Sequence, residues 1–405
     1  MPMNISKFLQ SGHKGTLLSA FIYSDMSFMV WVLMGPLVVF IAEDLSLTEA
    51  QQYTLVTIPL LAGVLFRIPI GILVDHYAPK RTGLIAQLIV IAVLLLAFLS
   101  NINSIGGVYI VAITLGLAGT SMAVALPLCS RWYPDEYQGL VMGIAGAASS
   151  GTVFTAALAP MLAESFGWRA VFGFATLPLI ATVIFFHLKA KDDNYQPDKK
   201  PLSDYLNVLK EIDAWWFMLF YSLSFGGVIA LSSVMVLYFH QEYTLDPVSA
   251  GYYTAICILA GTALRPVGGW MADRFGGIRT MQRLFVAAAV SMLLVSFSLP
   301  LWLAVLFLVA ATASLGMSSG AVFQLVPLRF RKNVGAVTGM IGAAGGLGGF
   351  ILAWVLGQSK QMTDGFGLGF FIFTILALLS FYGINKVKSR WRTTWGAGEV
   401  TSARV

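Results

Sequence analysis

Charge is scarce in this chain. Only 11% of its 405 residues are Asp, Glu, Lys or Arg, while 58% are hydrophobic, and so low a polar share excludes an ordinary soluble domain. Cysteine and histidine are scarcer still. The two cysteines, Cys129 and Cys257, fall inside apolar stretches and read as packing residues, which excludes a disulfide framework. The four histidines, His13, His76, His187 and His240, lie at or near the ends of such stretches and show no metal-ligand spacing. No nucleophile stands near a base. These absences leave no metal, no cofactor and no catalytic constellation to build on.

What is abundant is long apolar sequence. Runs of about 20 residues, enough to cross a bilayer as helix, recur twelve times: approximately 15 to 41, 51 to 75, 82 to 100, 106 to 130, 138 to 163, 168 to 188, 214 to 240, 249 to 273, 280 to 299, 302 to 327, 335 to 359 and 367 to 388. Backbone groups in lipid must be satisfied internally, and these runs far exceed the roughly ten-residue alternating segments of a barrel. The expected class is an all-α membrane protein with twelve transmembrane helices. The first run follows Lys7 and Lys14 as a signal peptide would, but it is too long and lacks a small-residue cleavage pattern, so it is read as helix 1.

The formal net charge of +6 could belong to a nucleic-acid binder, yet the placement of the basic residues gives it another meaning. Arg67 and Arg265 lie deep within spans, and Arg169 and Lys360 fall in odd-numbered loops. The other 21 Lys and Arg lie at the termini, in even-numbered loops or at the span ends beside them. That is the positive-inside signature, which puts both termini and the even loops in the cytoplasm of a cell whose inner membrane holds the chain. Basicity here sets orientation and recruits no nucleic acid.

The longest hydrophilic stretch splits the chain into an amino-terminal half at 1–188, a cytoplasmic linker at 189–213 and a carboxy-terminal half at 214–405. The halves repeat. FRIPIGILVDHYAPKR at 66 to 81 aligns with LRPVGGWMADRFGGIR at 264 to 279, an offset of 198, and GLVMGIAGAASSG from Gly139 aligns with GAVTGMIGAAGGL from Gly335, an offset of 196. Parallel six-helix halves about an axis normal to the membrane resemble the major facilitator superfamily, whose cargo site lies between the halves near mid-membrane. Gly71, Leu73, Asp75, Lys80 and Arg81 are similar to that superfamily's loop signature, a G-x-L-x-D followed by a pair of basic residues, echoed by Gly269, Met271, Asp273, Arg274, Gly276 and Arg279. The resemblance implies that Asp75, Lys80, Arg81, Asp273, Arg274 and Arg279 form a cytoplasmic latch that breaks as the carrier changes state. A solvated turn whose charges only fix topology is the plainer alternative.

An ionised side chain deep in a membrane helix costs several kcal/mol and usually faces a cavity. Three occur: Asp25 in helix 1, Arg67 in helix 2 and Arg265 in helix 8. Each arginine precedes the Asp at its helix end by eight residues, which at 1.5 Å per residue sets it about 12 Å above that end, near mid-bilayer. The repeat relates helices 2 and 8, so the two guanidiniums are expected to converge on the central axis. A planar, permanently charged fork of donors suits a planar oxyanion, a match lysine cannot make. The plainer alternative ties one arginine to Asp25 or to helix-end carbonyls, and one carboxylate cannot neutralise two arginines.

The segments YSDMSFMVW in helix 1, ALPLCSRWYPDEYQGLVMGIAGAASSGT across helices 4 and 5, and GAVFQLVPLRFRKNVGAVTGMIGAAGGLGGF across helices 10 and 11 resemble the nitrate/nitrite porter family, within it the assimilatory transporters of bacteria. The resemblance implies that Arg67 and Arg265 bind the anion, nitrate or nitrite, and that Tyr221 in YSLSFGG hydrogen-bonds it. Phe225 and Phe28 would form aromatic walls, with Trp31 beside them. Ser149 stands where the family's helix 5 usually carries Asn, so it donates with a shorter reach. Gly143, Gly146, Gly342, Gly345 and Gly346 would let helices slide in the rocking motion, although close packing explains them equally well.

A negative-inside potential opposes anion uptake by about 2.3 kcal/mol per charge per 100 mV. Accumulation therefore needs a driving partner. Proton-coupled uptake, with Asp25 as the proton carrier, is the first expectation. Nitrate/nitrite exchange, and exchange of organic anions or sugar phosphates, are the alternatives. A monomer in the lipid bilayer is expected.

Overall fold

The computed structural model of the protein describes residues 8, 10–134, 137, 141, 144–145, 148–192, 208–330 and 334–394. Among these the structure is helical, with no strand. Helix 1 is built of α1 (Lys14–Trp31) and α2 (Met34–Leu45), helix 2 is α3 (Glu49–Tyr77), and helix 3 is α4 (Pro79–Leu99). Helix 4 is α5 (Ile105–Ala118) followed by α6 (Ser121–Ser130), and α7 (Gly151–Phe166) and α8 (Trp168–Lys189) complete the first six spans. The second six are α9 (Ile212–Tyr243), α10 (Pro247–Ala263) continued by α11 (Arg265–Phe275), α12 (Gly277–Val295), α13 (Leu301–Arg329), α14 (Val334–Thr363) and α15 (Gly367–Thr394).

Eleven of these helical runs are long and apolar enough to cross a bilayer. The twelfth, expected over 138 to 163, is described as α7, whose 16 residues cover its second part. The observed helices mostly outrun the expected spans, α15 by a further turn and a half to Thr394. The extra residues there are polar, because the helix continues past the apolar slab.

Proline explains two of the four breaks, those in helices 1 and 8. Pro36 cannot donate to the Val32 carbonyl and its ring crowds that carbonyl, so α1 ends at Trp31 and α2 restarts at Met34. Pro266 does the same to Thr262, ending α10 and placing Arg265 as the first residue of α11. The break in helix 4 falls at Gly119 and Thr120, where Gly119 lies flat against the Trp31 ring and has no room for a side chain.

The two six-helix groups meet where α3 packs on α14, α7 on α10 and α2 on α9. Glycines allow the closest approaches: Gly35 of α2 rests on the backbone of Ser233, and Gly251 of α10 faces the Ala156 backbone of α7. Away from the linker, Tyr53 donates its hydroxyl proton to Gln241 Oε1 at 2.7 Å, joining the start of α3 to the end of α9. At the linker end, Asp213 is buried and accepts from Arg329 Nε at 2.6 Å, from Trp391 Nε1 at 2.7 Å and from Arg390. That network fixes the start of α9 to the ends of α13 and α15.

Candidate functional site

The break before Pro266 frees Arg265 from the regular helix and turns it inward, where it is 6% exposed. Gly316 and Gly320 of α13 pass directly against the Gly261 and Arg265 backbones, so no side chain separates this break from its neighbour. Arg265 Nη2 donates to the Tyr221 hydroxyl at 2.9 Å. Three rings surround the guanidinium, with its carbon 5.4 Å from the Phe225 centroid and 6.0 Å from those of Tyr221 and Phe323. Tyr221 and Phe225, one turn apart on α9, stack at 5.0 Å and 5°. Phe28 of α1 meets Phe225 edge-on at 6.0 Å and Trp31 at 5.3 Å. The three rings give the guanidinium cation–π contacts, and among the described residues no carboxylate pairs with its fork.

A small cavity opens beside it, lined by Ser149, Thr152, Phe225, Thr262, Arg265 and Ser319 among others, with about 10 Å³ open to the centre of a water molecule. That is room for roughly one water. Ser149 and Thr152 come from the helix 5 segment and the remainder from α9 to α13, so the cavity lies between the two groups of helices.

Arg67 projects from the middle of α3 and is 8% exposed. Its Nη2 donates to the Gly119 carbonyl at 2.8 Å, at the end of α5, and its Nη1 to the Gly342 carbonyl of α14. The Nε is buried without a hydrogen-bond partner among the described residues. One of these acceptors, Gly119, is a helix-end carbonyl, while Gly342 lies within α14, and its bond to Arg67 spans the two groups of helices. Among the described residues neither Arg67 nor Arg265 has an ion-pair partner. The helix 11 glycines lie against the same groups: Gly345 faces the Tyr221 and Phe225 rings, and Gly342 and Gly346 adjoin Arg67 Nη1.

Asp25 is buried elsewhere. Its carboxylate accepts from Ser150 Oγ at 3.0 and 2.9 Å and from Gly151 N at 3.0 Å, at the start of α7. The loop signature residues lie at the linker end. Lys80 N donates to Asp192 Oδ1 at 3.0 Å, the Arg81 guanidinium stands 5.9 Å over the Tyr77 ring, and Asp75 is half-buried. Asp273 is exposed, Arg274 lies over Trp270 at 5.4 Å, and Arg279 is exposed. Gly143 and Gly146 lie outside the described residues.

Phe323, Thr152, Thr262 and Ser319 join the site without having been singled out in the sequence. Thr262 precedes Arg265 by three residues and Thr152 follows Ser149 by three, one helical turn in each case, and that spacing was the available signal. Phe323 carried none, being one of 28 phenylalanines.

Residues 17–353 match the model of the Major Facilitator Superfamily. The probable nitrate/nitrite transporter NarK2 of Mycobacterium tuberculosis is 31% identical over 381 residues, covering 91% of this chain and 95% of that one. The nitrite extrusion protein of Bacillus subtilis is 29% identical over 355 residues, 87% and 89% of the two chains. Among solved structures, a bacterial homologue of the human lysosomal transporter Spinster, inward-facing and occupied, superposes with a TM-score of 0.69 at 14% identity, covering 92% and 96%. The fold and these relatives define a multi-pass membrane transporter and not an enzyme. Within that class, the chain belongs to the major facilitator superfamily and to its nitrate/nitrite transporter family.

Proposed function

We propose that this protein carries nitrate, and nitrite in its place, across the cytoplasmic membrane by alternating access, supplying nitrate for assimilation. The observation that carries the reading is Arg265: a buried guanidinium with no carboxylate partner among the described residues, walled by Phe225, Tyr221 and Phe323, beside a small cavity between the two groups of helices that widens to admit an anion. Such a cage gives a planar oxyanion a donor fork and excludes bulky organic anions. Arg67 supplies the second positive charge from the other half, leaving the Gly119 and Gly342 carbonyls for the anion as the site closes. The amino-terminal half is taken as 1–188, the linker as 189–213 and the carboxy-terminal half as 214–405, with both termini cytoplasmic and the protein a monomer. The loop residues Asp75, Lys80, Arg81, Asp273, Arg274 and Arg279 serve as the cytoplasmic latch, and the helix 11 glycines as the sliding surface.

Two couplings satisfy the energetics, proton symport and nitrate/nitrite exchange. Exchange is favoured by the arginines themselves. With no acid to neutralise them, an empty site carries buried positive charge through the reorientation, whereas an anion offsets it at every crossing.

The test is uptake of labelled nitrate and nitrite into proteoliposomes of the purified protein, with an imposed pH gradient or with internal anion. Counterflow that survives collapse of the gradient supports exchange, and accumulation that requires the gradient supports symport. Arg67→Lys and Arg265→Lys should each lose most transport, and a lysine variant that transports normally sinks recognition by the planar fork.

A further inference from the structure

Helix 5 is interrupted just before the site, since residues 148–150 are non-helical and α7 begins at Gly151. A helix start leaves N–H groups without partners, usually met by a side chain at the capping position itself. Ser150 occupies that position with helical dihedrals of −66° and −22° and makes no cap of its own. Its hydroxyl points to helix 1 instead, donating to both oxygens of Asp25 at 3.0 and 2.9 Å, while Gly151 N donates to Oδ1 at 3.0 Å. Asp25 therefore caps α7 from a different helix, at the end where the helix dipole favours negative charge.

The stitching continues along the pair. Gly151 sits against the Asp25 backbone, and Thr155 Oγ1 donates to the Met29 carbonyl at 2.5 Å. The two residues flanking this capped turn, Ser149 and Thr152, are the ones that helix 5 contributes to the cavity beside Arg265. Locating that wall within hydrogen-bond tolerance requires the turn at 148–150 to be fixed, and Asp25 supplies the fixing acceptors.

The geometry assigns Asp25 as a positioning residue for the cargo site: its carboxylate holds the helix 5 break so that Ser149 and Thr152 face the anion opposite Arg265. This rests on the anion-carrier reading above, and it gives Asp25 a task in which accepting hydrogen bonds matters and carrying a proton does not. An asparagine keeps one oxygen acceptor for Gly151 N–H and Ser150 O–H, whereas alanine keeps none.

The experiment uses the full-length protein in proteoliposomes and compares Asp25→Asn, Asp25→Ala, Ser149→Ala and the Asp25→Ala/Ser149→Ala double variant. Nitrate counterflow, pH-gradient-driven uptake, nitrate affinity and thermal stability are measured for each. Asp25→Asn should keep wild-type affinity within about threefold and an unchanged pH profile. Asp25→Ala should raise the KM for nitrate about tenfold, and the double variant should be no worse than the more damaging single one, because both changes disturb one wall. Asp25→Asn that abolishes pH-driven accumulation while sparing counterflow makes Asp25 a proton carrier and overturns the assignment. Additive losses, or a fall in thermal stability with affinity unchanged, reduce Asp25 to a structural cap and overturn it equally. If Asp25→Ala does not fold, Ser150→Ala takes its place, with the same rise in KM expected and an unchanged KM contradicting it. Wild-type protein that neither binds nor exchanges nitrate removes the carrier reading itself, which is visible before any variant is compared.

Discussion

Arg265 and Tyr221 are joined by a 2.9 Å hydrogen bond from Nη2 to the phenolic oxygen, across the buried face between α11 and α9. The hydroxyl spends its lone pair on the guanidinium and keeps its own proton to give. An anion arriving beside Arg265 therefore meets a charged fork and a neutral donor already aligned with it, without reorganisation.

Tyr221→Phe removes that donor and the acceptor of Arg265 Nη2, while the ring still stacks on Phe225 at 5.0 Å and meets Phe323 at 4.8 Å. A hydrogen bond to a charged group contributes about 1.5 kcal/mol or more, roughly tenfold in affinity. We expect the KM for nitrate to rise about tenfold, with a modest fall in thermal stability from the Arg265 N–H left without its acceptor, as measured by counterflow and by unfolding in detergent. An unaltered KM excludes the hydroxyl from the site.

The α14 glycines make a prediction of a different kind. A β-carbon on Gly345 would stand 2.6 and 2.7 Å from the Tyr221 ring, whereas one on Gly339 would meet nothing within 4 Å. Such overpacking costs about 1–3 kcal/mol, and here the atom that must yield belongs to the site. Gly345→Ala should cut transport to less than about a tenth while Gly339→Ala on the same helix transports normally. Equal activity of the two variants in proteoliposome uptake contradicts a tight fit at Gly345.

Much of this was readable beforehand, for physical reasons. Arg67 and Arg265 stand out because charge in an apolar run is conspicuous, and the repeat at an offset of 198 pairs them without coordinates. What stayed hidden depends on chain breaks. The sequence gives no hint that Asp25 reaches Ser150 and Gly151, 125 and 126 residues away, because a helix 5 interrupted at 148–150 has no proline to announce it. The Gly119 carbonyl that receives Arg67 is free only because helix 4 also stops without proline. Breaks made by packing, unlike those at Pro36 and Pro266, leave little trace in local composition.

The Asp213 network joins three helix ends. Asp213 is 7% exposed, while its partners Arg329 and Arg390 are 28% and 42% exposed. Asp213→Ala leaves two guanidiniums facing each other and an indole N–H without its carboxylate. Removing one partner of a buried pair costs about 3–5 kcal/mol, and the partial exposure of the arginines reduces this to about 2 kcal/mol. Thermal unfolding in detergent should shift down by several degrees. Asp364→Asn, which breaks the Lys360 pair at a residue 97% exposed, is the control and should leave the midpoint unmoved.

His13 lies just outside the first span and predicts the sign of a pH effect. Its Nδ1 accepts from Thr16 N at 3.0 Å, capping α1, and pairs with Thr16 Oγ1 at 2.8 Å. Partial burial, and then the positive charge of Lys191, hold the imidazole below the usual histidine value of 6.5. The unfolded chain consequently takes up a proton at a pH where the folded one does not. Stability is complete above about pH 6.5 and declines as the pH falls from there through the lowered folded value. Protonation also turns Nδ1 from acceptor to donor and so cancels the cap. His13→Asn keeps a capping oxygen that does not titrate. In unfolding midpoints recorded between pH 8 and 5, the wild type should lose stability below about pH 6.5 and His13→Asn should lose less. Parallel curves for the two proteins would detach His13 from the acid limb.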